Sequence, residues 1–245
     1  MSRVFVFPGQ GSQFIGMGKD IADAFPEARE VFQEIDETLS QNLSGLMFEG
    51  PENDLNLTEN TQPALMAVSM AVMAVLFKQG GIDLKSRAAF VAGHSLGEYS
   101  ALTAASGFDV GTCATLLKLR GQAMQAAVPV GYGSMAAILG LEIDDVQNIV
   151  KSVSDTEICE SANDNSDGQV VVSGHKNAVE KAVEKARENG AKKAVTLPVS
   201  APLHCTLMAP AAQKMAAALA DTDIRPPIVP VVSNVTAQGE TEPSE

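Results

Sequence analysis

Short apolar runs alternate with amphipathic stretches along most of this chain, and the alternation predicts its elements. Arg3 to Phe7 reads as a compact strand, ended by Pro8 and the Gly9-Gln10-Gly11 turn. Helical patterns follow at Gly18 to Ala24 and Ala28 to Ser40, and Glu49 to Glu59 has the composition of a loop. Thr61 and Pro63 then start a helix over Ala64 to Gln79 that Gly80-Gly81 stops. Its apolar part, Ala64 to Phe77, is too short to span a bilayer, carries Ser69 and reads as a buried helix. Ala88 to Ala92 is a second strand, Glu98 to Ser106 is helical, and Val110 to Ala127 is a long helix with Asp109 as its N-cap. Strand and helix in alternation predict an α/β fold, a three-layer, hydrolase-like domain with a parallel sheet.

The rhythm changes after Val128-Pro-Val-Gly-Tyr-Gly133. Ser134 to Gly140, Ile158 to Asn163, Gly168 to Ser173 and Lys193 to Val199 read as strands, the middle two joined by an Asn-Asp-Asn-Ser-Asp-Gly turn. Ile143 to Ser152 and Lys176 to Asn189 read as helices, the second charged and stopped by Gly190. The order βαββαβ fits a ferredoxin-like subdomain inserted into the larger one. Residues 1–130 and 200–245 are therefore expected to form the large domain and residues 131–199 the small one. One more strand, Ile228 to Val235, precedes a polar end.

Charge and cysteine content narrow the function classes. A net charge of −13 over 245 residues excludes a nucleic-acid binder, which needs basic clusters to neutralise phosphates. Cys113, Cys159 and Cys205 lie far apart without a Cys-x-x-Cys spacing, so neither a disulfide framework nor a metal site is expected. A reducing, cytoplasmic location follows, and no signal peptide opens the chain. Asn-x-Ser/Thr triplets at Asn42, Asn56 and Asn234 carry no meaning there.

The candidate chemistry begins at Gly93-His-Ser-Leu-Gly97, a Gly-x-Ser-x-Gly turn set between a strand and a helix. Such a turn forces Ser95 to its tip with the hydroxyl exposed, while the two glycines relieve the crowding of the strained backbone. The amide of Leu96 then points from a helix N-terminus, where an oxyanion can be stabilised. A serine nucleophile needs a base, and the chain has three histidines. His94 adjoins the nucleophile, so its ring should point elsewhere, and His175 stands between a strand and a helix at a cap or surface position. His204, in Val199-Ser-Ala-Pro-Leu-His204, is the best candidate.

Arg120 shares a helix face with Cys113, Leu117 and Met124, the stripe that should face the core. A guanidinium there needs an anion, either an internal carboxylate or the carboxylate of a substrate, and periodicity does not choose between them. Neither nucleotide motif fits the glycine-rich start: Phe14 replaces the third glycine of a dinucleotide fingerprint, and Gln13 and Asp20 spoil a phosphate loop. No cofactor is expected. The Gly9-Gln10-Gly11 turn can instead bring the Gln10 amide toward Ser95.

Five segments together resemble the malonyl-CoA:acyl-carrier-protein transacylases of type II fatty acid synthesis and the acyltransferase domains of fatty acid and polyketide synthases. They are Phe7-Pro-Gly-Gln-Gly-Ser-Gln13, Thr61-Gln-Pro-Ala64, Gly93-His-Ser-Leu-Gly-Glu-Tyr-Ser100, Arg120-Gly-Gln-Ala-Met-Gln125 and Ser200-Ala-Pro-Leu-His204, in the family's order. The resemblance implies that Ser95 is acylated, that His204 is its base, and that the amides of Gln10 and Leu96 form the oxyanion hole. It implies that Arg120 grips the free carboxylate of malonate, and that malonyl-CoA and acyl carrier protein are the partners, without nucleic acid or membrane. Leu96 fits members that take malonyl rather than methylmalonyl, which often carry Gln there. Members usually continue well past the position of Glu245, and the further stretch is expected to supply a glutamine whose carbonyl orients the histidine. Two other readings differ in what they need. A serine hydrolase wants an acid as third member and has no use for a core-facing arginine. A non-catalytic carrier-protein binder has no need of the Ser-His-Arg set. An acidic carrier would have to dock on a local basic patch, for which Lys118, Arg187, Lys192 and Lys193 are candidates.

Overall fold

The computed structural model describes residues 3–129, 131–197, 199 and 201–243. They form two compact units, one running to Gly121 and resuming at Ala217, the other spanning Gln122–Ala216.

The first unit opens with β1 (Arg3–Phe7), followed by the helices α1 (Lys19–Ala24), α2 (Pro26–Leu39), α3 (Leu43–Glu49), α4 (Glu52–Leu55), α5 (Thr58–Lys78) and α6 (Leu84–Arg87). Then come β2 (Ala88–Gly93), α7 (Leu96–Ala104) and α8 (Val110–Ala127), whose last turns enter the second unit. In α2, proline at the first position starts the helix, and Ala28, Val31, Phe32 and Ile35 form a buried stripe at helical spacing. β1 pairs in parallel with β2, placing Phe7 opposite Gly93.

The loop expected over Glu49 to Glu59 is largely helical, and α5 begins at Thr58, earlier than its apolar run. Glu52, Asn53 and Asp54 of α4 are exposed, whereas at the start of α5 composition misleads because Thr58, Asn60 and Thr61 are buried. Thr61 Oγ1 donates to the Leu55 carbonyl at 2.6 Å, and Asn60 Nδ2 donates to that of Asp54 at 2.8 Å. At 21 residues α5 is long and apolar enough to cross a membrane, so the expectation of a stretch too short to do so gives way. It is nevertheless largely buried inside the protein, as a core helix is.

Asp109 caps α8 as expected, its Oδ1 accepting the Thr112 amide at 2.6 Å. Hydrogen bonds from Thr112 hold the Asp109 carboxyl below the usual carboxylate range. A depressed acid stabilises the fold above its unfolded pKa and loses that contribution as pH falls through its folded value. Asp109→Ala should therefore cost about 1 kcal/mol near neutral pH. Thermal melts of both proteins across a pH series should converge only once pH has fallen through the folded value of Asp109, below the ordinary aspartate range.

The second unit contains β3 (Gly133–Leu139), α9 (Ile143–Val153), β4 (Cys159–Ser166), β5 (Gln169–His175), α10 (Lys176–Glu188) and β6 (Lys193–Thr196). Its strands are antiparallel in the order β4-β5-β3-β6. Side chains alternate along them with period two. Ala136, Ile138, Val170 and Val172 join a cluster with Val146 and Ile149 of α9 and Val179 and Ala182 of α10. Met135 and Val171 join a different cluster with Met124, Leu203 and Met208. The six-residue turn expected before Gly168 is shorter, because β4 runs on to Ser166 despite its polar sequence, with two irregularities in its pairing with β5. β6 ends at Thr196. Val130, Pro198 and Ser200 lie outside the described residues.

A 3₁₀ turn, Thr206–Met208, leads into α11 (Ala209–Ala220), which sequence patterning does not predict. Alanine is the strongest helix former but gives little contrast between faces. The strand expected over Ile228 to Val235 reduces to β7 (Val231–Val232), since Pro230 has no amide to pair and Ser233 opens a turn. β7 lies parallel to β2, and β8 (Gly239–Glu240) returns antiparallel to β7, giving the order β1-β2-β7-β8. The fold is thus mixed α/β, with a parallel core to its first sheet.

All three thiols are buried. Burial pushes Cys113 and Cys159 up to about 12 and raises Cys205 as well. None should react with Ellman's reagent at pH 8 in the folded protein, and all three should react in denaturant.

Candidate active site

The turn between β2 and α7 holds Ser95 at φ 55° and ψ −108°. No ordinary L-residue basin covers that conformation, and it costs on the order of 1–3 kcal/mol unless the surroundings over-determine it. The flanking glycines are obligatory. A Cβ on Gly93 would lie 1.9 Å from the Gly97 carbonyl, and one on Gly97 would lie 2.5 Å from the Phe7 carbonyl oxygen. The end of β1 therefore packs directly on the elbow, a contact extended by the His94 amide donating to the Phe7 carbonyl at 3.1 Å.

That packing carries the Gly9-Gln10-Gly11 turn to the same end of the sheet as Ser95. Gly9 lies against the His94 ring. Gln10 Nε2 reaches Thr58 Oγ1 at 3.4 Å. Leu96 is buried at the first position of α7, where a helix amide has no partner within the helix. Beyond it, the amides of Gly97 and Glu98 are taken by the carbonyls of His94 and Ser95.

Arg120 reaches the nucleophile. Its Nη2 donates to Ser95 Oγ at 3.1 Å, its Nη1 donates to Gln62 Oε1 at 2.9 Å, and its guanidinium carbon lies 5.7 Å from the centre of the Tyr99 ring. Close approach of α8 to the start of α5 makes this possible: a Cβ on Gly121 would lie 2.4 Å from Glu59 Cα. The internal ion-pair reading finds no support. Among the described residues, ion pairs join Lys78 to Glu30 and Lys118 to Glu59, and none involves Arg120. Burial lowers the Arg120 pKa, while the nearby Tyr99 and Glu98 favour its charge. Burial likewise raises Glu98, whose Oε2 accepts the Asn234 amide at 2.9 Å.

His204 belongs to the second unit. It sits at φ 58°, half-buried between the buried Leu203 and Cys205. The turn that holds it is fastened at both ends: Cys205 Sγ donates to the Pro202 carbonyl at 3.2 Å, and Glu160 accepts the Thr206 amide at 2.7 Å and hydroxyl at 2.6 Å. His175 has a structural task, its Nδ1 accepting the Ile158 amide at 2.8 Å at the start of α10.

Three residues of this site lack a role in the sequence reading. Gln62 lies inside a quoted motif, and a polar residue leading an apolar helix is its signal. Tyr99 lies in the elbow motif. Asn234 has no local signal at all, yet its Oδ1 accepts the Ser95 amide at 2.7 Å. Lys118 leaves the basic candidates, because its ammonium bonds Gln41 and Asn60, each at 2.9 Å, and pairs with Glu59 at 3.6 Å. The apolar cavity between β1 and α5, about 330 Å³ and lined by Phe5, Phe7, Phe14, Leu65 and Val72 among others, contains none of the site residues.

Known proteins resemble this chain in sequence and in fold. The sequence matches the acyl transferase domain over residues 4–244. It is 46% identical over 237 residues to the malonyl CoA-acyl carrier protein transacylase of Escherichia coli K12, covering 97% of this chain and 75% of that protein. It is 47% identical over 247 residues to the transacylase of the same name from Bacillus subtilis 168, covering 100% of this chain and 76% of the other. The structure superposes on the acyl-carrier-protein-S-malonyltransferase of Bartonella henselae with a TM-score of 0.97 and 54% identity, covering 100% of this chain and 77% of that one. A malonyl-transacylase in complex with a type II PKS acyl-carrier protein matches with a TM-score of 0.95 and 43% identity, covering 100% of this chain and 78% of that one. The chain belongs to the acyl transferase domain family.

Proposed function

We propose that this chain moves a malonyl group from malonyl-CoA to the phosphopantetheine thiol of acyl carrier protein, through an ester on Ser95. One observation carries the reading: a cation without a carboxylate partner among the described residues lies 3.1 Å from the hydroxyl at the tip of a strained strand-to-helix turn. A hydrolase has no use for that cation. A substrate bearing a free carboxylate beside its reactive carbonyl does.

In the first half-reaction Ser95 Oγ attacks the thioester carbonyl while His204 takes its proton. The amides of Gln10 and Leu96 stabilise the resulting oxyanion. As the tetrahedral species collapses, the C–S bond breaks, coenzyme A leaves with the proton from His204, and malonyl stays on Ser95. The carrier thiol then enters, gives its proton to His204 and attacks the ester carbonyl, and Ser95 departs with that proton. Arg120 holds the malonyl carboxylate throughout, with Gln62 and Tyr99 fixing its head group.

The reading extends to architecture. The first unit serves as a three-layer, hydrolase-like acyltransferase domain. The second, supported by its βαββαβ order and antiparallel strand order, serves as a ferredoxin-like insertion centred on residues 131–199. Arg187, Lys192 and Lys193, at the end of α10 and the start of β6, are the remaining basic candidates for meeting an acidic carrier in the cytoplasm. Thioester consumption with and without carrier protein tests the reaction class. Transfer should outrun hydrolysis at saturating carrier, with ping-pong kinetics, and hydrolysis that outruns transfer would make the protein a thioesterase.

A further inference from the structure

We propose that Asn234 is a positioning residue for the transfer reaction, its side-chain amide bracing the strained backbone at Ser95; this rests on the reading of Ser95 as the nucleophile. Asn234 lies two residues beyond β7, and Ser95 two residues beyond β2, its parallel neighbour. The pairing of Val91 with Val231 and Ala92 with Val232 thus delivers both residues to the same end of the sheet.

The asparagine amide spans the elbow. Its Oδ1 accepts the Ser95 N–H at 2.7 Å, and its Nδ2 donates to the Gly93 carbonyl at 2.7 Å. Only one orientation of the amide satisfies both, since Ser95 offers a donor and Gly93 an acceptor. The backbone N–H of Asn234 donates to Glu98 Oε2 in the first turn of α7, so three bonds tie this turn to both sides of the nucleophile. The turn is itself fixed: the Ser233 amide donates to the Gln238 carbonyl at 3.0 Å and the Ala237 amide to that of Ser233 at 3.0 Å.

The consequence is directional. Holding the carbonyl of residue 93 and the amide of residue 95 fixes the two peptide planes before Ser95, and with them the aim of Oγ and of the Leu96 amide. A conformation outside the ordinary basins has no local preference to hold it and depends on such braces. Asn234 is exposed, so neither amide atom needs a protein partner for stability, and water would satisfy both. Its removal should spare the fold and disturb the alignment, to which transfer is sensitive at the scale of an ångström.

The test follows two reactions of Ser95 by mass spectrometry, malonylation by malonyl-CoA and phosphonylation by a fluorophosphonate probe. Asn234→Ala should slow both at least tenfold, with half-saturating malonyl-CoA changed less than threefold and melting temperature nearly unchanged. Val235→Ala, at a side chain 94% exposed in the same turn, should react as wild type. If Asn234→Ala fails to fold, Asn234→Asp takes its place. It keeps size and the acceptor for Ser95 but cannot donate to Gly93, and should be slowed at least threefold. Wild-type rates in the substituted protein, or slowing matched by an equal loss of folded protein, would overturn the proposal. A wild-type chain that takes the phosphonate but no malonyl group would instead overturn the malonyl reading, and Asn234 is then judged on phosphonylation alone.

Discussion

Arg120→Ala is expected to depress malonyl transfer by about 2–4 kcal/mol in activation free energy, the usual cost of removing one partner of a desolvated, hydrogen-bonded charge pair. Acetyl transfer should fall little or rise. Acetyl offers no carboxylate, and loss of the cationic donor 3.1 Å from Ser95 Oγ frees a lone pair on the nucleophile. Arg120→Lys should rescue malonyl transfer poorly, because an ammonium cannot hold Gln62 and grip a carboxylate with the same fork. A purely structural arginine would behave differently: melting temperature would drop, and both acyl rates would fall in proportion. An unchanged malonyl-to-acetyl ratio removes Arg120 from the specificity role.

Ser95→Ala should abolish the acyl-enzyme and lower transfer by about 10⁴-fold or more, the scale seen when a covalent nucleophile is removed. Ser95→Gly should be equally inactive yet more stable than the alanine variant by about 1 kcal/mol, because glycine carries no Cβ at a φ of 55°. Paired melts of the two variants read that difference. Equal stability would mean that the elbow stores no strain. Residual transfer within tenfold of wild type in either variant would move the nucleophile elsewhere.

What could be read from sequence divides by how far apart the interacting residues lie. The elbow is local: strand, glycine, serine, glycine and helix follow one another, and the conformation of Ser95 was legible from them. Arg120 was legible as an anomaly on an apolar stripe, but its choice of partner was not, since Gln62 lies 58 positions away and the absence of a paired carboxylate is a fact of packing. Asn234, 139 positions from the amide it binds, fell inside the strand expected over Ile228 to Val235 and carried no sign of that bond. Among the elements, α9 and α10 were plain because their apolar faces repeat at the helical period, and β3 and β5 because they are apolar runs. By contrast β4, polar in sequence, runs past its expected end. The start of α5 and all of α11 were hidden for opposite reasons. The first buries polar side chains that a hydropathy pattern assigns to solvent, and the second is so rich in alanine that neither face stands out.

The account turns on Ser95 carrying the malonyl group between two thiols. Mixing the protein with malonyl-CoA, stopping the reaction in acid and mapping the digest by mass spectrometry tests that directly. One malonyl group should appear on the peptide containing Ser95 and disappear on addition of carrier protein bearing phosphopantetheine. No adduct, or an adduct on any other residue, would contradict it.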